Sequence, residues 1–254
     1  MVARYQVGLM KTDAAYAELN EHLNRIHQLD TIGQLLGWDE QVNLPEDSAD
    51  QRAAQHSVLA ETTHAAKMNA RLGEILGELQ ADLEALTDEQ QIVVKEARRD
   101  YDIATKLPAE FVREKAQQSS VGYHAWAKAR AAADFASYVP VLEKNLELAQ
   151  REAAYLGWGD RAYDYMIDLH DPGMSAAVIS ELFGELKQEL VPLVRQITES
   201  PVKPRSDILS GFPCEAQRTF LHEVTEKLGF NYRRGRIDVS LHPFCSGTGS
   251  DIRM

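Results

Sequence analysis

Tyr16-Ala17-Glu18-Leu19-Asn20-Glu21-His22-Leu23-Asn24-Arg25-Ile26-His27-Gln28-Leu29-Asp30-Thr31-Ile32-Gly33-Gln34-Leu35-Leu36 is the stretch that decides the fold. Tyr16, Leu19, Leu23, Ile26, Leu29, Ile32, Leu35 and Leu36 recur at three- and four-residue steps, which lines them along one face of an α-helix. Asn43, Pro45 and Asp47 end the pattern. A second helix is predicted from about residue 51 toward 79, carrying Val58, Leu72, Ile75, Leu76 and Leu79 among helix-favouring Ala, Gln and Glu. Thr87 with Gln90 makes a capping box for a third, through Ile92, Val93, Ala97 and Tyr101. Lys106-Leu107-Pro108 is a break, with Pro108 suited to the first position of the next helix and Glu110 to its positive end.

Helical spacing continues past Trp126 and through Val141, Leu142, Leu146, Leu148 and Tyr155. Gly157 and Gly159 interrupt it. Pro172-Gly173 marks a turn, and Ser175 is placed to cap a helix bearing Leu182, Phe183, Leu186, Leu190 and Leu193. Residues 200–213 hold three prolines and read as a loop. A last helix covers about 215–228 and stops at Gly229. Arg236-Ile237-Asp238-Val239-Ser240-Leu241 then alternates polar and apolar residues, a strand signal. Residues 246–250 read as a turn, and Asp251-Ile252-Arg253 as the beginning of another strand. The expected fold is mainly α: an antiparallel array of long helices with the beginning of a small β-sheet at the C-terminal end. Residues 1–254 are expected to form a single helical region, helical over 1–235 with incipient strands over 236–254.

The formal net charge of −12 argues against a nucleic-acid partner, because phosphate binding needs clustered Lys and Arg. Without an apolar run of membrane-spanning length or a secretory leader, a cytoplasmic protein with no membrane partner is the expectation. Cys214 and Cys245 are read as free thiols.

Few residues suggest chemistry by spacing alone. A zinc peptidase helix offers two histidines four residues apart with a glutamate between them. None of the eight histidines is so paired: His22 and His27 are five apart, and His222-Glu223 begins like the motif, but the fourth residue after His222 is Glu226. No Gly-x-Ser-x-Gly elbow occurs. Cys245 near His242 reads as a packed thiol rather than a nucleophile. Asp39-Glu40 reads as one of several carboxylate pairs, and Trp38 as a core-capping indole with its N–H bonded locally.

A collinear set of segments resembles the carboxypeptidase Taq family of metallopeptidases. Leu35-Leu36-Gly37-Trp38-Asp39, Pro45 and Arg52-Ala53-Ala54-Gln55 come first. Lys106-Leu107-Pro108, Ala125 to Arg130 and Asp134-Phe135 follow. Tyr163-Asp164, Asp171-Pro172-Gly173-Met174, Phe183 and Leu190-Val191-Pro192-Leu193 come next. Gly235 to Phe244 then carries a His-Pro-Phe motif, and Asp251-Ile252-Arg253 resembles the start of an Asp-x-Arg-x-Thr motif. His170-Asp171 stands where the family usually has Tyr-Glu.

The resemblance implies a largely helical, commonly dimeric, zinc- or cobalt-dependent enzyme that removes residues from peptide carboxyl termini. It also implies chains about twice this long, with a His-Glu-x-x-His helix after the second motif. The expectation is therefore an amino-terminal half only, truncated before the metal-binding motif, with no catalytic or metal residue and no metal of its own, and inactive alone. His242, Arg253 and Asp251 are the candidate substrate-binding residues. The alternative is a non-catalytic helical interaction module or pseudoenzyme remnant. Peptide C-termini are the expected ligand. A homodimer, or self-association through an exposed truncated face, is the expected assembly.

Overall fold

The computed structural model describes the backbone of residues 2–248 and 250–254, and side chains from residue 11 onward except 209, 248 and 249. It is mainly helical, with a small three-stranded sheet near the C-terminus. The described residues form two compact units, residues 1–157 with 237–254, and residues 158–236.

The first unit begins with α1 (Val2–Val42), followed by α2 (Ala49–Lys67), α3 (Ala70–Ala81) and α4 (Asp88–Lys106). α5 (Ala109–Ala131) and α6 (Phe135–Tyr155) complete its helices. α1 is 41 residues long, roughly 60 Å at the helical rise. Its first half packs on α3 and α4, where Leu19, Leu72, Ile75, Leu76, Leu79 and Val94 lose almost all contact with water. Burial of one such side chain is worth roughly 2 kcal/mol. The predicted apolar face holds there, but further along Ile32 and Leu35 are exposed, because α1 outruns the α3–α4 pair.

α2 turns back along the second half of α1. Arg52 of α2 reaches Asp39 and the Leu36 carbonyl, while Lys67 at its other end pairs with Asp30, 3.4 Å away. The predicted helix over 51–79 is thus two helices. Asn69 divides them, its side chain accepting from the Arg71 N–H at 2.9 Å as the cap of α3. The Thr87–Gln90 capping box is present as predicted. Pro108 sits one position earlier than predicted, at the cap of α5.

The strand expectation is corrected in part. Of the run 236–241 only Arg236 is in a strand, β1 (Gly235–Arg236), and the predicted turn at 246–250 contains β2 (Ser246–Thr248). β3 (Asp251–Arg253) is where a strand was expected, antiparallel to β2 with Ser246 opposite Arg253 and Gly247 opposite Ile252. Alternation at 237–241 makes no longer strand because its polar groups bond to helices and the chain end instead: Asp238 N–H donates to the Met254 carbonyl at 2.7 Å, and the Leu241 carbonyl accepts from Arg130 at 2.6 Å. Gly247 has φ +106°, and a Cβ there would lie 1.9 Å from the Asp251 carbonyl oxygen, so only glycine fits.

The second unit holds α7 (Ala162–His170), α8 (Ala176–Glu199) and α9 (Cys214–Lys227). Ser175 caps α8 through the Val178 N–H as predicted, and Asp164 accepts from Ala176 N–H at 2.9 Å to set the α7–α8 corner. Gly229, at φ +91°, ends α9 in the left-handed region. Among the described residues no helix is long and apolar enough to cross a membrane.

Candidate peptide-terminus site

The three residues singled out as substrate-binding lie in the first unit, on the segment that follows Ile237. α1 and α5 fix that segment. The Trp38 indole, 6 % exposed, donates from Nε1 to Asp238 Oδ2 at 3.2 Å. Its expected local hydrogen bond is thus made to a residue 200 positions away. The Arg253 guanidinium lies over the Trp38 ring, 4.3 Å from its centre, a cation–π contact. Gln34 of α1 accepts from the Gly247 N–H at 2.8 Å.

Arg253 and Asp251 form a fork: Nε to Oδ1 at 2.5 Å and Nη2 to Oδ2 at 3.0 Å. The Arg253 hydrogen bond holds the Asp251 carboxyl below its ordinary value, so the pair is ionised near neutrality. Asp251 occupies the Nε side of the guanidinium. The Nη1–Nη2 end is the edge geometrically suited to a second carboxylate.

His242 is exposed, with Nδ1 2.8 Å from the Pro243 carbonyl. A carbonyl only accepts, so Nδ1 donates in this contact. Its ring meets Trp126 edge-on at 6.2 Å, and Arg130 covers the same indole at 5.3 Å. The structure therefore brings Asp251 and Arg253 together and ties His242 separately to α5.

Sequence reasoning passed over a second constellation. Glu40, read as half of an unremarkable carboxylate pair, has a side chain only 7 % exposed. Oε2 accepts from His56 Nε2 at 3.0 Å, and Oε1 accepts from His124 Nε2 at 3.0 Å and from the Ser120 hydroxyl. Burial pushes this carboxyl up, but the bonds from His56, Ser120 and His124 outweigh it and hold it below 4.5. Glu40 joins α1, α2 and α5 at one end of a cavity of about 770 Å³. The sequence signal was faint: three donors at separations of 16 to 84 residues. Its neighbour Asp39 is held down by the bond from Arg52.

The other sequence candidates are structural. His222 stacks on Tyr232 at 4.1 Å within the second unit. Cys214 and Cys245 are free thiols, as expected, but Cys245 is exposed rather than packed. Among the described residues no three His, Cys, Asp or Glu side chains gather as a metal site.

Comparison with known proteins settles the family. The model of the carboxypeptidase Taq (M32) metallopeptidases matches residues 18–254. The chain belongs to that family. Carboxypeptidase 1 of Bacillus subtilis is 30 % identical over 239 residues, covering 93 % of this chain and 48 % of the relative. Thermostable carboxypeptidase 1 of Thermus thermophilus is 31 % identical over 258 residues, with 96 % and 51 % covered. Among solved structures, BsuCP superimposes with a TM-score of 0.88 at 28 % identity, covering 94 % of this chain and 49 % of that one. The M32 carboxypeptidase from Deinococcus radiodurans gives 0.74 at 38 %, covering 94 % and 48 %.

These findings correct several expectations. The resemblance was expected to define an amino-terminal half, cut short and inactive. M32 similarity instead runs through nearly all of this chain, and the chain spans about half the length of the relatives it matches. The expected truncation, inactivity and freedom from metal are corrected by that match. They are withdrawn. M32 proteins are metallopeptidases by description. Among the described residues no set of side chains that could hold a metal ion gathers.

Proposed function

We propose that the protein serves a metal-dependent carboxypeptidase reaction on peptide C-termini, and that this chain supplies the surface that receives the terminal carboxylate. The observation that carries this reading is the Asp251–Arg253 fork laid over Trp38, on a chain of M32 membership. Arg253 meets the terminal carboxylate with its Nη1–Nη2 edge. Asp251 holds the planar guanidinium flat against the indole and fixes its direction. His242, tied separately to α5 through Trp126, offers the bound peptide a second hydrogen-bonding position. The Glu40 cluster locks α1 to α2 and α5, which holds Trp38 in place.

Equilibrium binding tests this without requiring turnover. Tryptophan fluorescence of the protein is titrated with one short peptide as the free acid and as the C-terminal amide. Tighter binding of the acid is expected; equal affinity would remove the reading.

A second copy of the chain is the proposed protein partner, because Leu182, Leu186, Leu190, Val194 and Ile197 form an exposed apolar stripe along α8.

A further inference from the structure

The Ser246 hydroxyl has no partner in the fold described so far. Ser246 stands opposite Arg253 in the antiparallel β2–β3 pair, and Asp251 lies two residues before Arg253 on β3. Directly opposed residues, and residues two apart on one strand, project from the same face of a sheet. Ser246, Asp251 and Arg253 therefore share the face on which the guanidinium covers Trp38. Among the described residues Ser246 Oγ is closed off from water and meets no hydrogen-bond partner. A buried hydroxyl left unpaired costs stability where an alanine would not. Packing gives no reason for it. Arg253 uses Nε and Nη2 on Asp251, so the unpaired hydroxyl lies beside the guanidinium and not in place of its partner.

We propose, resting on the peptide-terminus reading above, that Ser246 is a specificity-determining residue of that site, its hydroxyl donating to the same terminal carboxylate that Arg253 receives. A carboxylate offers about four lone-pair sites. The Nη1–Nη2 edge of Arg253 takes two of them, and a neighbouring hydroxyl takes a third. A C-terminal amide has no charge for the guanidinium and turns an NH2 group toward one of these donors. Ser246 as a residue is only partly buried, and its side chain has a single rotor, so Oγ reaches the ligand by changing staggered well without moving the strand. The hydroxyl breaks no hydrogen bond of the free fold when it turns to a charged acceptor.

Fluorescence titration with one short peptide, as the free acid and as the C-terminal amide, tests this on the parent, Ser246→Ala and Ser246→Thr. In Ser246→Ala the free acid should bind about tenfold more weakly, with the amide little changed. Without peptide this variant should melt at or above the parent, because no hydrogen bond is lost. Ser246→Thr keeps the hydroxyl on a strand-favouring side chain and should keep the preference for the acid. An unchanged preference in Ser246→Ala would overturn the proposal. So would a clearly lower melting temperature of that variant, which would show a partner for the hydroxyl in the free fold. A parent that binds acid and amide equally removes the peptide-terminus reading and the role of Ser246 together. A parent that prefers the acid, beside an equal preference in Ser246→Ala, removes the role of Ser246 alone.

Discussion

Replacing Glu40 by Gln tests whether the first unit is pinned at one buried carboxylate. The substitution keeps size and shape but removes the charge that His56, His124 and Ser120 all address. A hydrogen bond to a charged group contributes about 1.5–3 kcal/mol. Gln retains one acceptor oxygen for Ser120 and His124, and its amide nitrogen then faces His56. His56 relieves that conflict by presenting its other tautomer. The net cost is therefore set by one charged interaction, about 2 kcal/mol. For a chain of this size that lowers the melting temperature by about 4–8 °C.

The pH dependence has a definite sign. The folded-state pKa of Glu40 lies below 4.5, its ordinary value, so its contribution is complete above 4.5 and is lost as pH falls through the folded value. Melting by circular dichroism at pH 7 and at steps down to pH 4 should show the largest gap between parent and variant at pH 7, shrinking below 4.5. A variant that melts within about 1 °C of the parent at pH 7, or a gap that widens on acidification, would refute the reasoning.

Two further outcomes follow from packing. Gly73→Ala places a Cβ 2.3 Å from the Tyr101 hydroxyl and 2.6 Å from its ring. Overpacking of about 1–3 kcal/mol should exceed the gain in helix propensity, so urea unfolding should shift to lower concentration, and Tyr101→Phe should recover part of the loss. A stabilised Gly73→Ala would show that α3 and α4 separate freely. Sedimentation of the protein should reveal concentration-dependent association, reduced by Leu186→Lys and Val194→Lys on the α8 stripe; a monomer at every concentration would contradict the proposed second copy.

Helices were legible where local chemistry decides them. The Thr87–Gln90 box, the Ser175 cap and Gly229 each act within a few residues, and all stand as read. Asn69 was missed because helix-favouring residues on both sides hid a single cap. The strands were misplaced because their pairing is set at a distance: Gly247 meets Asp251 and Gln34, and Asp238 meets Trp38 and Met254. Of the site, the Arg253–Asp251 pair is two residues apart and could be named from sequence. The Glu40 cluster draws on α1, α2 and α5, and no spacing rule joins residues 40, 56, 120 and 124.

Arg253→Gln is the most direct test of the peptide-terminus claim. Its neutral side chain should still cover Trp38, and the half-exposed Asp251 carboxylate can be hydrated, so stability should change little. Fluorescence titration should show the free-acid preference of the parent lost, with the amide bound as before; a charged carboxylate contact is worth about tenfold or more in affinity. An unchanged preference for the free acid in Arg253→Gln would contradict the account.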